Sequence, residues 1–379
     1  MEQQAKLRNA GCLVFCLSGI CAISCGVVVS HLQGVYGFAY GLSGTLLSMM
    51  NVGNLVASFL AGVLPGRIGL RRTALLLSAG YAIGYLMMGM GGWVPLLVAA
   101  FLLVGIAKGC LLNVCTIVVG DNSPDRPRGM NTMHACYALG ALLCPFVLTL
   151  TVGLGNGVPM LALACVGVVI WLAVLRMPLA GGGKERTATD WSFLRNTRFW
   201  LLTALIFCQL SAENSVTGWL VTYFKDCSIL SAAVSPYTVT LLWGATMVAR
   251  LGLAFVFPPQ NPYRAMVWMG LGCTVFYFGL MCAHTQAPAL LLLLAFSLSI
   301  AGMNPTAVAC AGRMTSVTSM GVMLPVASLG GIIMPWVIGQ VADRAGMAAG
   351  MAANLVPCAG MLVFALLVRR SAAREQAAA

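Results

Sequence analysis

Two charged residues lie near the centres of long apolar segments of the sequence, where a charge is costly. Glu213 lies within about a turn of the middle of residues 199–224, and Lys108 within about a turn of the middle of residues 95–119. An ionised side chain in hydrocarbon is unfavourable unless it is paired or hydrated, so such residues are typical of substrate and ion pathways. Glu213 is also the one acid within an apolar segment, which makes it the candidate for carrying a proton.

The similar depth of Lys108 and Glu213 predicts that they act together. One interpretation is an ion pair that forms and breaks during a reaction cycle, or two charges that bind a polar substrate between them. The alternative is a permanent structural pair, since buried ions usually need partners. A second alternative concerns Glu213 alone, whose carboxylate can cap free backbone groups around Gly218 in an interrupted helix.

Amides and indoles accompany these charges. Gln209 precedes Glu213 by four residues, so both project from one helix face. Asn113 lies in the same apolar segment as Lys108, and Asn304 precedes Pro305, which frees backbone groups within a helix. A polyol is held by hydrogen bonds at its edges and by apolar contact with its ring faces. Tryptophans offer such ring contacts, although packing or an interfacial position is an equal alternative for each of them: Trp219, Trp243 and Trp336.

A further set of titratable residues lies nearer the ends of apolar segments. His134 is one turn into residues 131–153, and histidine titrates near neutral pH, so it is a candidate for gating or proton transfer, with a structural hydrogen bond as the alternative. Arg250 is interpreted as a gate contact or a helix C-terminal charge rather than a substrate ligand. The predicted gating residues are Asp121, Arg126, Arg128 and Arg250.

The composition places all of these residues in a membrane. The chain has 379 residues, of which 60% are hydrophobic and 8% charged, too few charges for the surface of a soluble domain. Its net charge of +12 comes from Lys and Arg in short loops rather than on one soluble face, so no nucleic-acid partner is predicted. The 15 cysteines lie mostly inside apolar runs and are interpreted as packing residues, with no metal or other cofactor expected.

Apolar runs bounded by Gly, Pro, Asn or charge predict an all-α polytopic membrane protein with twelve transmembrane helices. The predicted spans are residues 11–33, 43–64, 73–91, 95–119, 131–153, 159–175, 199–224, 235–257, 264–283, 287–311, 316–341 and 347–368. With a cytoplasmic N-terminus, 18 of the 21 Lys and Arg residues fall on the cytoplasmic side, the exceptions being Lys108, Lys225 and Arg344. The positive-inside rule therefore predicts that both termini are cytoplasmic.

The chain divides into two similar halves. Residues 1–177 are predicted to form an N-terminal six-helix bundle, 178–198 a cytoplasmic linker, and 199–379 a C-terminal six-helix bundle. The pattern Leu-Gly followed by Pro in residues 138–147 recurs 190 positions later, in residues 328–337. A repeat after an even number of helices predicts a parallel pseudo-repeat, an arrangement in which transporters place the substrate at the interface of the two bundles.

Three motifs give the chain a family resemblance over essentially its whole length. They are Asn-Thr-Met-His at 131–134, Ala-Leu-Gly-Ala-Leu-Leu-Cys-Pro at 138–145, and Glu-x-x-x-x-Gly-Trp-Leu-x-x-Tyr-Phe at 213–224. With these motifs the chain resembles the major facilitator superfamily, and within it the fucose permease type of sugar transporters. The resemblance implies that spans one, four, seven and ten line a central cavity, with Lys108 and Glu213 on opposite halves.

Two departures from that family's pattern bear on mechanism. Its loop motif after span two appears here with Gly66 where an acid is expected, and a closer copy lies at 339–346. The carboxylates that proton-coupled members of the fucose permease type carry in spans one and four are missing, with Leu112 at the aligned position of span four. Proton coupling, if present, then depends on Glu213.

The favoured interpretation is a multi-pass, monomeric transporter in the cytoplasmic membrane that moves a sugar or similar small polar solute by alternating access, coupled to protons or sodium or uncoupled. No phosphate-binding loop or catalytic constellation indicates an enzyme. A drug or metabolite exporter driven by proton antiport is the first alternative, and Glu213 would suit it. The antiporter pattern is imperfect, however, since Cys144 precedes Pro145 where Gly is expected. A transport-dead membrane sensor is the second alternative.

Overall fold

The structure is a computed structural model that describes residues 2–124, 126–179, 192–312 and 317–378. Some side chains within these ranges, among them those of Arg126 and Asn131, lie outside the description. All regular elements in the described part of the chain are helical. The α-helices are α1 (Glu2–Tyr36), α2 (Tyr40–Ile68), α3 (Leu70–Ser78), α4 (Gly80–Gly89), α5 (Val94–Asp121), α6 (Arg126–Thr151), α7 (Val158–Arg176), α8 (Thr197–Asp226), α9 (Tyr237–Leu251), α10 (Pro262–Cys282), α11 (Gln286–Ile300), α12 (Met303–Gly312), α13 (Val317–Ala345), α14 (Met347–Ala352) and α15 (Leu355–Ala378). Short 3₁₀ turns occupy Val152–Leu154 and Ser192–Arg195, and a π-helix occupies Gly252–Val256.

Each predicted apolar span coincides with one helix or with two consecutive helical segments. Ten stretches of the described chain are long and apolar enough to cross a membrane. The other two predicted spans are interrupted: one is divided into α3 and α4 at Ala79, and the other continues from α9 into the π-helix. An all-α polytopic membrane fold is thus confirmed, while twelve crossings and cytoplasmic termini stay predictions.

The outward-facing apolar side chains of the helices agree with a lipid environment. Leu150, Phe257 and Val356 are each at least 75% exposed, and many other large apolar side chains are exposed along the same helices. Soluble proteins rarely expose such extended apolar surface. These residues are therefore typical of contact with acyl chains.

The chain forms two compact units. The first comprises residues 1–185 with 232–244, and the second residues 186–231 with 245–379. The start of α9 therefore belongs to the first unit, where Thr240 donates to the carbonyl of Leu142 on α6 at 2.9 Å. The predicted division at residues 178–198 stays a prediction.

In the first unit, α1 and α6 touch backbone to backbone. A Cβ atom added to Gly140 would overlap the carbonyl oxygen of Cys16, and one added to Gly19 would overlap that of Tyr137. Small residues permit this close approach. The resulting van der Waals contacts stabilise helix association in a membrane, where the lipid is as apolar as the helix surface. Gly140 and Gly19 thus permit the close crossing of α1 and α6.

The second unit repeats this contact with α8 and α13. A Cβ atom on Gly330 would overlap the carbonyl oxygen of Phe207 and the hydroxyl of Ser211. Gly140 and Gly330 occupy the same position of the sequence repeat, and their partners lie on the helices that correspond to predicted spans one and seven. The two copies of the sequence repeat therefore form the same helix crossing, one in each unit. This supports a shared architecture of the two units.

Candidate functional site

A polar network in the second unit centres on Glu213. Gln209 and Glu213 lie one turn apart on α8, and Gln209 Nε2 donates to Glu213 Oε2 at 2.5 Å. Asn304, at the start of α12, donates through Nδ2 to Gln209 Oε1 at 2.9 Å. Three of the predicted site residues, one of them about 95 positions from the other two, thus form one chain of hydrogen bonds.

Arg250 completes this network. Its Nη2 atom lies 3.6 Å from Glu213 Oε2, and its Nε atom donates to the carbonyl oxygen of Ala301 at 3.1 Å. The distance to Glu213 is longer than the roughly 2.7–2.9 Å of a direct charge-assisted hydrogen bond. The Arg250 guanidinium therefore balances the charge of the Glu213 carboxylate, and it donates a hydrogen bond to the backbone carbonyl of Ala301.

The network is protected but open on one side. Gln209 is fully buried, whereas the side chains of Glu213 and Arg250 are 20% and 23% exposed. The contacts of the carboxylate with Gln209 and Arg250 both use Oε2, and no hydrogen bond to Oε1 is formed by the described residues. The Oε2 atom of Glu213 thus contacts protein groups, and its Oε1 atom is available to a hydroxyl or amine donor.

Lys108 lies in the first unit, in a different setting. Its ammonium group lies near the thiol of Cys25, whose sulfur is 3.5 Å from the hydroxyl oxygen of Tyr85. Tyr85 also donates to the carbonyl of Cys21, and Tyr81, one turn earlier on α4, is hydrogen-bonded to Ser18 at 2.8 Å. Lys108 thus borders a layer of polar contacts between α1 and α4. Its predicted partnership with Glu213 stays a prediction.

The remaining predicted residues of the first unit have local contacts. Asn113 donates to the carbonyl of Gly109 in its own helix at 2.8 Å, and the ring of His134 meets that of Phe15 edge-on, with centroids 5.8 Å apart. Asp121 ends α5 and is exposed, as is Arg128 near the start of α6. The side chain of Arg126 lies outside the described ones. The predicted gating roles stay predictions.

Trp219, for which substrate contact and packing are equal alternatives from the sequence, has the environment of a packing residue. Its side chain is fully buried, and its indole nitrogen donates to the carbonyl of Pro335 on α13 at 3.0 Å. A ring enclosed on all sides cannot stack on a solute in this structure. We therefore assign Trp219 to the α8–α13 contact.

Trp219→Phe is accordingly expected to lower stability while leaving the Michaelis constant for transport unchanged. Loss of the indole removes one buried hydrogen bond and some packing, about 1–3 kcal/mol together. Thermal unfolding of the purified protein measures the first effect and uptake kinetics the second. Trp336→Phe, at a ring that is 47% exposed, is the matched control and should change neither. A higher Michaelis constant in Trp219→Phe would contradict a purely structural role.

The backbone contributes a group that the residue types did not reveal. The carbonyl of Ala301 belongs to the network only because the helix is interrupted beside it, between α11 and α12. The signal for it was Pro305, four residues later, which lacks the N–H that this carbonyl would otherwise accept. Likewise, the contacts of Tyr81 and Tyr85 were signalled by their spacing of four residues on one helix face.

Solved structures share the fold of the chain. A bacterial homologue of the human lysosomal transporter Spinster, in an inward-facing and occupied conformation, is 12% identical with a TM-score of 0.77, and the match covers 98% of this chain and 97% of that one. The nucleoside transporter NupG is 16% identical with a TM-score of 0.73, covering 97% and 98%. The Escherichia coli fucose:proton symporter FucP, as its N162A variant, is 14% identical with a TM-score of 0.65, covering 95% and 98%. No curated protein sequence matches the chain.

A family model identifies the chain independently of these structures. The model of the Major Facilitator Superfamily matches residues 11–324, which is most of the sequence. The match begins within α1 and ends within α13, so it includes all the residues of the Glu213 network. The chain therefore belongs to the Major Facilitator Superfamily and is a membrane transporter rather than an enzyme.

Proposed function

We propose that this protein is a secondary transporter of a sugar or similarly small, polar, uncharged solute, and that the Glu213 network binds it. The observation that carries the proposal is the open oxygen of Glu213, set beside amides and a guanidinium within apolar helices. Intramembrane charges are retained mainly where they serve a polar pathway.

The chemistry of the network favours a solute with several hydroxyl groups. The Glu213 carboxylate accepts hydrogen bonds, Arg250 donates them, and the amides of Gln209 and Asn304 do both. The carboxylate and guanidinium charges cancel within 3.6 Å, so a solute with a net charge would leave one of them uncompensated. A neutral polyol meets donors and acceptors without disturbing that balance.

The solved structures of similar fold support the same class of solute. One is a nucleoside transporter and another a fucose:proton symporter, and both solutes are small and rich in hydroxyl groups. Proton coupling in this chain would use Glu213, the one acid within its apolar segments. We further propose twelve crossings in the cytoplasmic membrane, cytoplasmic termini and a monomeric state.

Uptake into proteoliposomes tests the proposal. A panel of labelled monosaccharides, L-fucose among them, and of nucleosides is offered with and without an inward proton gradient. Saturable uptake of at least one neutral polyol is expected, and accumulation above equilibrium would identify proton symport. Absence of saturable uptake for every monosaccharide and nucleoside of the panel would contradict the proposal and favour the exporter alternative.

Asn304→Ala is expected to raise the Michaelis constant for the transported solute about tenfold, the equivalent of about 1.4 kcal/mol. The substitution removes the donor that holds Gln209 in place and leaves a polar group without its partner. Initial rates of uptake over a range of solute concentrations provide the measurement. Asn214→Ala is the matched control, because Asn214 neighbours Glu213 but donates to the carbonyl of Leu210 in its own helix. Equal effects of the two variants would argue against a specific role for Asn304.

A further inference from the structure

The helix interruption between α11 and α12 leaves one backbone carbonyl without its usual donor. In a continuous helix the carbonyl of Ala301 would accept from the N–H of residue 305, but that residue is Pro305. The next bond of the series is intact, since Thr306 N donates to the carbonyl of Gly302 at 3.1 Å. The helical series of hydrogen bonds therefore resumes directly after Pro305.

Arg250 supplies the missing donor. Its Nε atom bonds the carbonyl of Ala301, while its Nη2 atom faces Glu213 Oε2. On the other side of the break, Asn304 is held by Gln209, which donates to the same oxygen of Glu213. Two separate connections thus run from the break to one carboxylate oxygen.

Neighbouring helices close over the break. A Cβ atom on Gly302 would lie 2.6 Å from Met269 Cε on α10 and would overlap a methyl group of Leu253 in the π-helix. That π-helix begins two residues after Arg250, and π-helical segments are frequent at functional sites. The glycine therefore allows close packing at a point where the backbone already lacks one hydrogen bond.

From this arrangement we infer that Arg250 is a positioning residue that ties the α11–α12 break to Glu213. A solute that binds the open oxygen of Glu213 draws the carboxylate away from the guanidinium and from Gln209, which loosens both connections and frees the break to bend. Solute binding therefore favours a state in which the helix bends at the α11–α12 break, because the solute makes different contacts in the straight and bent states. The inference rests on the proposed function in that it assigns Glu213 to solute binding.

Amide hydrogen exchange of the full-length protein in lipid nanodiscs tests the inference without a known solute. Glu213→Gln is the probe, because it removes the charge that holds Arg250. Glu213→Gln and Arg250→Ala are each expected to accelerate exchange at residues 302–306 at least tenfold, since local opening determines the exchange rate. Arg250→Lys, which retains the charge but not the forked donor, provides a second variant should Arg250→Ala fold poorly, and is expected to accelerate exchange as well.

Pro305→Ala distinguishes a specific link between Arg250 and the α11–α12 break from a general contribution of Arg250 to folding. The new N–H can donate to the carbonyl of Ala301, so adding Arg250→Ala or Arg250→Lys to Pro305→Ala should leave exchange at the break unchanged. Arg264→Ala, at an exposed arginine at the start of α10, is the matched control and should have no effect.

Two outcomes would overturn the inference. One is unchanged exchange at residues 302–306 in Glu213→Gln and in the folded Arg250 variants. The other is an Arg250 effect of equal size with and without Pro305→Ala. Failure of the proposed function would appear differently, as absence of polyol uptake by the unmodified protein, and would leave the exchange results interpretable on their own.

Discussion

Glu213→Gln is expected to abolish accumulation of solute above equilibrium while sparing exchange of solute across the membrane. Glutamine is close in size and keeps one acceptor oxygen, but it can neither carry a proton nor balance the charge of Arg250. If Glu213 is the coupling group, uptake driven by a proton gradient falls to the equilibrium level, whereas counterflow of labelled solute continues. Both quantities can be measured on the same proteoliposomes.

Asp226→Asn is the matched control for this substitution. Asp226 ends the same helix, is similarly exposed, and pairs with Lys225 at 3.4 Å rather than with the network. Accumulation should persist in this variant. Unchanged accumulation in Glu213→Gln would remove Glu213 from the coupling mechanism and leave it with Arg250 as a structural or gating pair.

Gly140→Ala is expected to prevent stable folding of the first unit, although alanine is the better helix former. The added Cβ atom would overlap the carbonyl oxygen of Cys16 and approach the amide nitrogen of Ile20 to 3.1 Å, and backbone atoms cannot rotate away. Forcing the two helices apart should cost about 3 kcal/mol or more. The midpoint of thermal unfolding and the yield of monodisperse protein report the effect.

Gly34→Ala supplies the opposite expectation within α1. No atom lies within 4 Å of a Cβ at Gly34, so the gain in helix propensity, up to about 1 kcal/mol, should appear as unchanged or slightly higher stability. Gly330→Ala should repeat the loss seen with Gly140→Ala, because it makes the same contact in the second unit. A stable Gly140→Ala protein would show that α1 and α6 do not pack as closely as the structure indicates.

The pairing of Glu213 with Arg250 changes how the intramembrane charges are understood. A carboxylate within hydrocarbon needs compensation, and depth along the helices pointed to Lys108 as one source of it. The structure provides compensation from Arg250, on the helix that ends one residue later, within the same unit. Arg250, first interpreted as a gate contact, therefore becomes a member of the candidate site.

The local features of this fold were predictable because each depends on a short stretch of chain. Apolar runs mark the helices, since a membrane helix must be apolar over its whole length. Pro305 marks the break between α11 and α12, since proline lacks the N–H that continues a helix. The spacing of Gln209 and Glu213 places both on one face, since residues four apart are neighbours on a helix.

The sequence by itself therefore determined that this is a polytopic helical membrane protein of the Major Facilitator Superfamily with an acid in an apolar helix. Only the tertiary structure decided that Arg250 balances that acid, that the carbonyl of Ala301 joins the network, and that Trp219 is enclosed. The physical reason is that such contacts depend on the rotation and crossing of helices far apart in the chain. Those are set by close backbone approaches such as those at Gly140 and Gly330, which no periodicity within one helix specifies.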